Sequence, residues 1–239
     1  MTEDLATDIK DMLMQVSVST LTTCLFNRGM RTRLIEGVMP IGTGAVRMVG
    51  PAFTLRFIPS REDIDTMVEY TKDTHVQRRA IEECPSGHVL VIDARGDAGA
   101  ASAGDIMIAR LKSRGCAGAV SDGGFRDMTD IAALNFPVYH RAPALPSSPI
   151  RHHAADLNLP IACGGVAVYP GDILVGDGDG IIVIPRHLAE EVAQEAFGMT
   201  QYEEFAAVKV SEGRSIFGLY PSTESSREEY ENWKNDQLS

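Results

Sequence analysis

Three charged side chains near the middle of this 239-residue chain have types and spacing that could do chemistry: Asp105 and, after twenty intervening residues, Arg126 with Asp127. An arginine guanidinium is a planar fork that can hold an organic carboxylate through two parallel hydrogen bonds. Paired aspartate oxygens form a hard donor set that suits Mg2+ or Mn2+ rather than zinc. Asp105 follows Gly99-Ala100-Ala101-Ser102-Ala103-Gly104, side chains small enough to let a ligand approach the backbone. If Asp105 starts a helix, the unpaired N–H groups there could hold a carboxylate or a phosphate. Each part also has a plainer reading. An acid stabilises the first turn of any helix, and an Arg-Asp pair can be an exposed ion pair in a turn. Only their meeting in one pocket makes a site.

The elements that must position them can be read on either side. The run His88–Gly96, HVLVIDARG, is almost continuously apolar at its start, as a strand buried on both faces is, and delivers Asp93 and Arg95 to the following loop. Residues 102–114 read as a helix closed by Gly115, and AGAVSD at 117–122 as a second strand. Strand, crossover helix and strand make a parallel βαβ unit, in which ligands gather at the carboxyl ends of the strands. Both strand ends would then bring Asp105, Arg126 and Asp127 to one sheet edge, with Asp122 at the end of the same strand either a member of the pocket or, the favoured reading, a turn acceptor.

Elsewhere, helical spacing runs through 4–26, with Ser19-Thr20 capping a second helix that Gly29 ends, and through 62–83. Strand alternation runs from Gly44 to Pro59, interrupted at Gly50-Pro51, and a short strand covers 136–139. Pro143–Pro149 reads as a loop. Residues 160–185 read as three short strands with Gly-rich turns, a meander or small barrel. Arg186–Ser211 is a long helix pattern, and about 220–239 a polar tail. The expectation is one α/β domain over 1–239.

Composition narrows the function. A formal charge of −11 is the wrong sign for a surface that grips nucleic-acid phosphates. The acidic start MTEDLATDIKDM has no apolar signal core, and no apolar run reaches the ~20 residues of a membrane span, so a cytoplasmic protein without membrane contact is expected. Cys24, Cys84, Cys116 and Cys163 form no CxxC pair and read as reduced, buried thiols. No Walker loop or GxGxxG fingerprint speaks for a nucleotide. Asp177-Gly178-Asp179-Gly180 reads as a hairpin turn rather than a calcium loop, and His152-His153 as solvated loop residues.

The D-x20-R-D pattern resembles the signature of the family of 4-hydroxy-4-methyl-2-oxoglutarate/4-carboxy-4-hydroxy-2-oxoadipate aldolases and RraA, the regulator of ribonuclease activity. The resemblance spans roughly residues 15–215 and includes MVGPAFT at 48–54, GHVLVID at 87–93, GCAGAVSDGGFRD at 115–127, FPVY at 136–139 and PGDILVGDGDGIIVIP at 170–185. The chain departs from the pattern in an Ala-rich loop before Asp105 and in Ser121, where an apolar residue is common. The resemblance implies a compact β/β/α swivelling-domain-like fold, assembled as a homotrimer or hexamer with sites between subunits. It also implies class II pyruvate aldolase chemistry with Mg2+ or Mn2+ on a small 2-oxo acid, together with oxaloacetate decarboxylation. By that analogy Asp127 holds the metal directly and Asp105 through water, while Arg126 binds the pyruvyl oxygens. Gly104 and the backbone N–H groups of Ile106 and Met107 cradle the pyruvyl carboxylate, and Glu203 or Glu204 reaches in from a neighbouring subunit. The alternative within the family is a non-catalytic protein that binds and inhibits a ribonuclease.

The chemistry agrees with the first reading. Cleaving the C3–C4 bond of a 4-hydroxy-2-oxo acid leaves an enolate, whose oxygen needs a Lewis acid or a Schiff-base lysine. The central stretch offers Lys112 only on a helix body, which favours the metal. A metal-associated water is the candidate base for the C4 hydroxyl.

Overall fold

A computed structural model of the chain describes residues 5–42 and 47–237. The expected strand residues 44–46 lie outside that range. Two helices, α1 (Thr7–Leu13) and α2 (Val18–Asn27), open the chain; Ser17, not Ser19-Thr20, caps α2, its side chain accepting from the Thr20 N–H at 3.0 Å. A short strand β1 (Met39–Pro40) precedes the long strand β2 (Met48–Pro59), which runs unbroken through Gly50-Pro51. Gly50 is required there by close approach: a Cβ would lie 2.4 Å from the Gly87 carbonyl oxygen. The expected helix over 62–83 is two, α3 (Met67–Tyr70) and α4 (Val76–Glu83), because the polar stretch 71–75 supplies no apolar face to bury.

Then come β3 (Val89–Asp93), α5 (Asp105–Ser113), β4 (Gly118–Phe125), α6 (Met128–Ala133) and β5 (Val138–Pro143). Strand β6 (His152–Leu157) lies where only loop was expected, and two hairpins follow, β7 (Ile161–Cys163) with β8 (Val166–Val168) and β9 (Ile173–Asp177) with β10 (Gly180–Ile184). The long helix α7 (Ala189–Ser211) is as read, but the expected polar tail contains α8 (Glu224–Gln237).

The main sheet has the order β1-β5-β4-β3-β2-β9-β10, with β6 added along the second half of β2. Strands β2 to β5 are parallel neighbours in chain order, so the expected βαβ unit is the centre of a longer parallel run. The apolar pattern of β3 follows from burial on both sides. Leu90 and Ile92 pack with Ile108 and Leu111 of α5, while Val89 and Val91 pack with the β7–β8 hairpin. In β10, likewise, Ile181 and Val183 face that hairpin, and Ile182 and Ile184 face α1, α2 and α7. Each such side chain is almost fully buried, worth roughly 1.5–3 kcal/mol apiece.

Candidate active site at the end of the central strand–helix–strand unit

The site is built where the loop before α5 meets the end of β4. Strand β4 pairs with β3 only through Ser121, and its remaining residues run past the end of β3. There the loop takes the place of a strand: the Ser102 N–H donates to the Gly124 carbonyl at 2.6 Å, and the Arg126 N–H to the Ala103 carbonyl at 3.2 Å. Gly123 and Gly124 are needed for this closeness, since a Cβ on either would lie 2.6 Å from that of Ala94 or 2.5 Å from that of Ala144. Ser121 finds its reason in the same place, its hydroxyl 2.7 Å from that of Ser102 in the interior.

Asp105 is the first residue of α5, after an extended Gly104 that makes no side-chain cap. The first bond back to the cap is from the Ile108 N–H to the Gly104 carbonyl at 3.2 Å, and no described group accepts from Ile106 or Met107 N–H. Two donors at the positive end of a helix thus remain open. Asp127 caps α6 in the left-handed conformation (φ 60°, ψ 44°), which aspartate tolerates better than most residues, but its carboxylate does not bond to its own helix. It turns toward α5 instead. Its Oδ2 accepts from Arg126 Nε at 3.1 Å and lies 3.4 Å from the Asp105 nitrogen. The Arg126 and Asp127 side chains are 46% and 34% exposed. Gly104, Asp105, Ile106, Met107, Arg126 and Asp127 therefore share one rim.

Among the described residues no group of three or more His, Cys, Asp or Glu is gathered for a metal. The donor set at this rim is two carboxylates, Asp105 and Asp127. That fits a hard cation which keeps most of its waters, such as Mg2+ or Mn2+, and does not fit zinc. Glu203 and Glu204 are not part of the rim in this chain. Glu203 lies in the groove between α7 and α8, where Tyr220 Oη donates to it at 3.3 Å.

The other sequence candidates divide. Asp122 is not at a turn, since β4 runs on to Phe125; it is a buried clamp, accepting from the N–H groups of Ala94 (2.7 Å), Gly96 (3.1 Å) and Gly164 (3.2 Å) on two other segments. Asp93, nearby, accepts from the Arg95 and Ala162 N–H groups, and burial raises its carboxyl above the ordinary range. Asp177 binds the Asp179 N–H in the β9–β10 turn, as a hairpin requires. His152-His153 are a correction: both belong to β6, and His152 is 3% exposed, stacked on Phe57 at 5.0 Å. Pairing with β2 draws them in, a long-range effect that their polar types hide. The His152 Nδ1 faces Arg95 Nη2 at 3.3 Å and Nε2 lies 3.1 Å from the Ala100 carbonyl, which defines a neutral ring that donates from Nε2. Burial accordingly lowers its pKa. The four cysteines are free and buried, and burial pushes the Cys24 thiol up to about 12, far from a nucleophile's range.

Sequence reading missed Gln77 and Tyr70. Gln77, 1% exposed, donates from Nε2 to the Ser102 carbonyl at 2.5 Å and lies 3.9 Å from Met107 Sδ, fastening α4 to the loop before α5 and to the first turn of that helix. Tyr70 sits edge-on to His75 with ring centroids 5.0 Å apart. Its phenol is raised by burial, and the positive charges of Arg126 and Arg78 oppose that rise.

A mixed α/β fold with a carboxylate-and-arginine rim at the end of a βαβ unit defines the class. The chain belongs to the RraA-like family, whose model, described as Aldolase/RraA, matches residues 6–183. It is 37% identical over 177 residues, 73% of this chain and 77% of the other, to a Halalkalibacterium halodurans protein named "Putative 4-hydroxy-4-methyl-2-oxoglutarate aldolase". Among solved structures it resembles Streptomyces coelicolor RraAS2, described as an unusual member of the RNase ES inhibitor RraA protein family. That match has a TM-score of 0.76 and 31% identity, covering 86% of this chain and 98% of the other. An uncharacterized protein of Pseudomonas syringae pv. tomato superposes with a TM-score of 0.80 at 26% identity, covering 92% of this chain and 95% of the other.

Proposed function

We propose that the chain is a divalent-metal-dependent lyase that cleaves 4-hydroxy-2-oxo acids to pyruvate and decarboxylates oxaloacetate. The observation that carries the reading is the Asp127 carboxylate, held between Arg126 Nε and the Asp105 nitrogen at the open start of α5. The free N–H groups of Ile106 and Met107 receive the pyruvyl carboxylate. Arg126 sits beside the 2-oxo oxygen and stabilises the negative charge that develops there as the C3–C4 bond breaks, a donor already in position before the reaction begins. Asp127, with Asp105 behind it, would hold Mg2+ or Mn2+, which when bound supplies Lewis acidity at that oxygen.

The half-exposed Arg126 fits a site finished by a second copy of the chain, a trimer or hexamer. The exposed Ile106 and Leu145, 78% and 85% accessible, are the apolar surface such a copy would cover, and Glu203 is the side chain it would contribute. The likeness to RraAS2 and the acidic charge favour a second reading, a protein that inhibits a ribonuclease by contact.

The test is pyruvate release from a panel of 4-hydroxy-2-oxo acids and from oxaloacetate, with and without Mg2+. Turnover should require metal, stop with EDTA and fall by at least ~10³-fold in Asp127→Ala. Undiminished turnover after metal removal would refute the lyase reading. Absence of turnover together with tight ribonuclease binding would establish the second.

A further inference from the structure

Two nucleophilic groups that the proposed reaction leaves unused meet at the end of the strand–helix–strand unit opposite the rim. Cys84 closes α4, and Cys116 lies between α5 and β4. Their segments are bound side by side. The Gly87 N–H donates to the Gly115 carbonyl and the Ala117 N–H to the His88 carbonyl, each at 2.8 Å, and Ser86 Oγ donates to the Gly115 carbonyl at 3.2 Å. Between them the Cys116 thiol donates to the Cys84 carbonyl at 3.6 Å. Two residues before Cys84, Glu82 takes Arg110 at 2.8 Å and Arg114 at 3.7 Å, so the ends of α4 and α5 are already clasped. Cys24 and Cys163 face Met199 Sδ (3.6 Å) and the Ile92 carbonyl (3.7 Å) instead.

Both thiols are buried, yet each lies one residue inside an exposed turn, Pro85-Ser86 for Cys84 and Gly115 for Cys116. Local opening of those turns, which costs less than unfolding the chain, admits a small reagent. The pair is also unsymmetrical. A hydrogen bond from the Cys84 thiol lowers Cys116 below the ordinary thiol range, against its burial and with help from the Arg114 charge. The same contact, together with burial, raises Cys84. Cys116 is therefore the thiolate of the two and the nucleophile.

We infer that Cys84 and Cys116 are an oxidative modification site, a dithiol that hydrogen peroxide or another small hydroperoxide converts to an intrachain disulfide. The Cys116 sulfur attacks a peroxide oxygen and the O–O bond breaks, leaving a sulfenic acid while the departing hydroxide takes the Cys116 proton as water. The Cys84 sulfur then attacks the Cys116 sulfur, the S–O bond breaks, and the hydroxyl leaves with the Cys84 proton as a second water. The two sulfurs give up two electrons and the peroxide accepts them. The closed loop, residues 84–116, contains β3, the loop before α5 and α5 itself. Its bond lies a helix length from Asp105, about 14 Å at about 1.5 Å per residue, so it ties this unit together without entering the rim. Nothing in this chemistry depends on the lyase reading.

The experiment exposes the folded full chain to hydrogen peroxide, blocks free thiols with N-ethylmaleimide in denaturant, and maps the peptides without reduction. A mass lower by two hydrogens, two blocked thiols in place of four, and a peptide joining Cys84 to Cys116 are expected, all reversed by dithiothreitol. The linked protein should unfold roughly 5–15 °C higher, since the closed loop restricts the unfolded chain. Four free thiols after peroxide, a bond to Cys24 or Cys163 or between chains, or a midpoint that does not rise would overturn the site. Cys84→Ser should stop at a Cys116 sulfenic acid that a cyclic dione labels, and Cys116→Ser should leave Cys84 unlabelled; the opposite pattern contradicts the assigned order of attack. The wild-type peptide map decides the question even where a variant does not fold.

Discussion

Gly104→Ala separates catalytic geometry from folding more cleanly than removal of any charged residue. A Cβ at Gly104 would lie 2.6 Å from Asp127 Oδ2 and 2.9 Å from Arg126 Nε. Ordinary contact begins near 3.4 Å, so the carboxylate oxygen must retreat by about 0.8 Å and the guanidinium by about 0.5 Å. Both are ends of half-exposed side chains, free to move into solvent, and the backbone at Gly104 is extended, a conformation alanine adopts without strain. The stability terms nearly cancel. Alanine is a poorer cap than glycine by several tenths of a kcal/mol or more, while its stiffer unfolded chain returns about 0.4–1 kcal/mol. The midpoint of thermal unfolding should therefore stay within a few degrees. Activity should not. A displacement approaching 1 Å in a positioning group costs on the order of 10²-fold, and under the proposed lyase reading the shifted groups are those beside the developing charge. The assay is pyruvate release under saturating Mg2+, with Gly198→Ala as control, since a Cβ there meets nothing within 4 Å. Wild-type turnover in Gly104→Ala would show that the Arg126–Asp127 arrangement is not the reacting geometry, and the reasoning would fail there.

Two further outcomes follow from the interior. His152 is held neutral below the usual histidine range, chiefly by burial, so the unfolded chain binds a proton that the folded chain refuses. Its contribution to stability is complete above about pH 6.5 and is lost as pH falls through that value; His152→Gln should flatten the decline of the unfolding midpoint between pH 7.5 and 5.5, and an unchanged slope would contradict the assignment. Phe205, fully buried, joins α7 to α8 through Tyr230 and Trp233 at 5.7 and 5.6 Å, so Phe205→Ala should cost roughly 3 kcal/mol and shift the emission of Trp233, the single tryptophan, to the red. Unaltered emission would mean that α8 is held by something else.

What the sequence discloses depends on whether an element's partner is near or far along the chain. The central unit is legible because β3 is apolar on both faces and α5 ends at a glycine, both local signals. Strand β6 is not, since HHAADL has no β-branched residue and becomes a strand only by pairing with β2, about a hundred residues earlier. Helix α8 carries a narrow apolar stripe, Tyr230 and Trp233 with the buried Ser226 one turn before, inside a sequence otherwise rich in Glu, Asn and Ser. Tyr202 and Phe205 on α7 complete it, and nothing local announces them. Gln77 is the same case at the site: a glutamine on a polar helix face becomes interior only because the loop at Ser102 folds onto it.

The twenty-residue gap between Asp105 and Arg126 follows from this geometry. Helix α5 carries the chain about 14 Å from the rim, at about 1.5 Å for each of its nine residues. Strand β4 recovers that distance in roughly four residues at about 3.3 Å each, and its pairing with β3 stops after four, at Ser121. Asp122 to Phe125 then carry β4 past the end of β3 while it stays paired with β5, clamped by the Asp122 carboxylate and closed against Ala144 at Gly124. Arg126 thus arrives level with the start of α5 rather than with the end of β3. The spacing of the charged residues is therefore a property of the crossover and its overshoot, and the overshoot is what turns two adjacent elements into one rim.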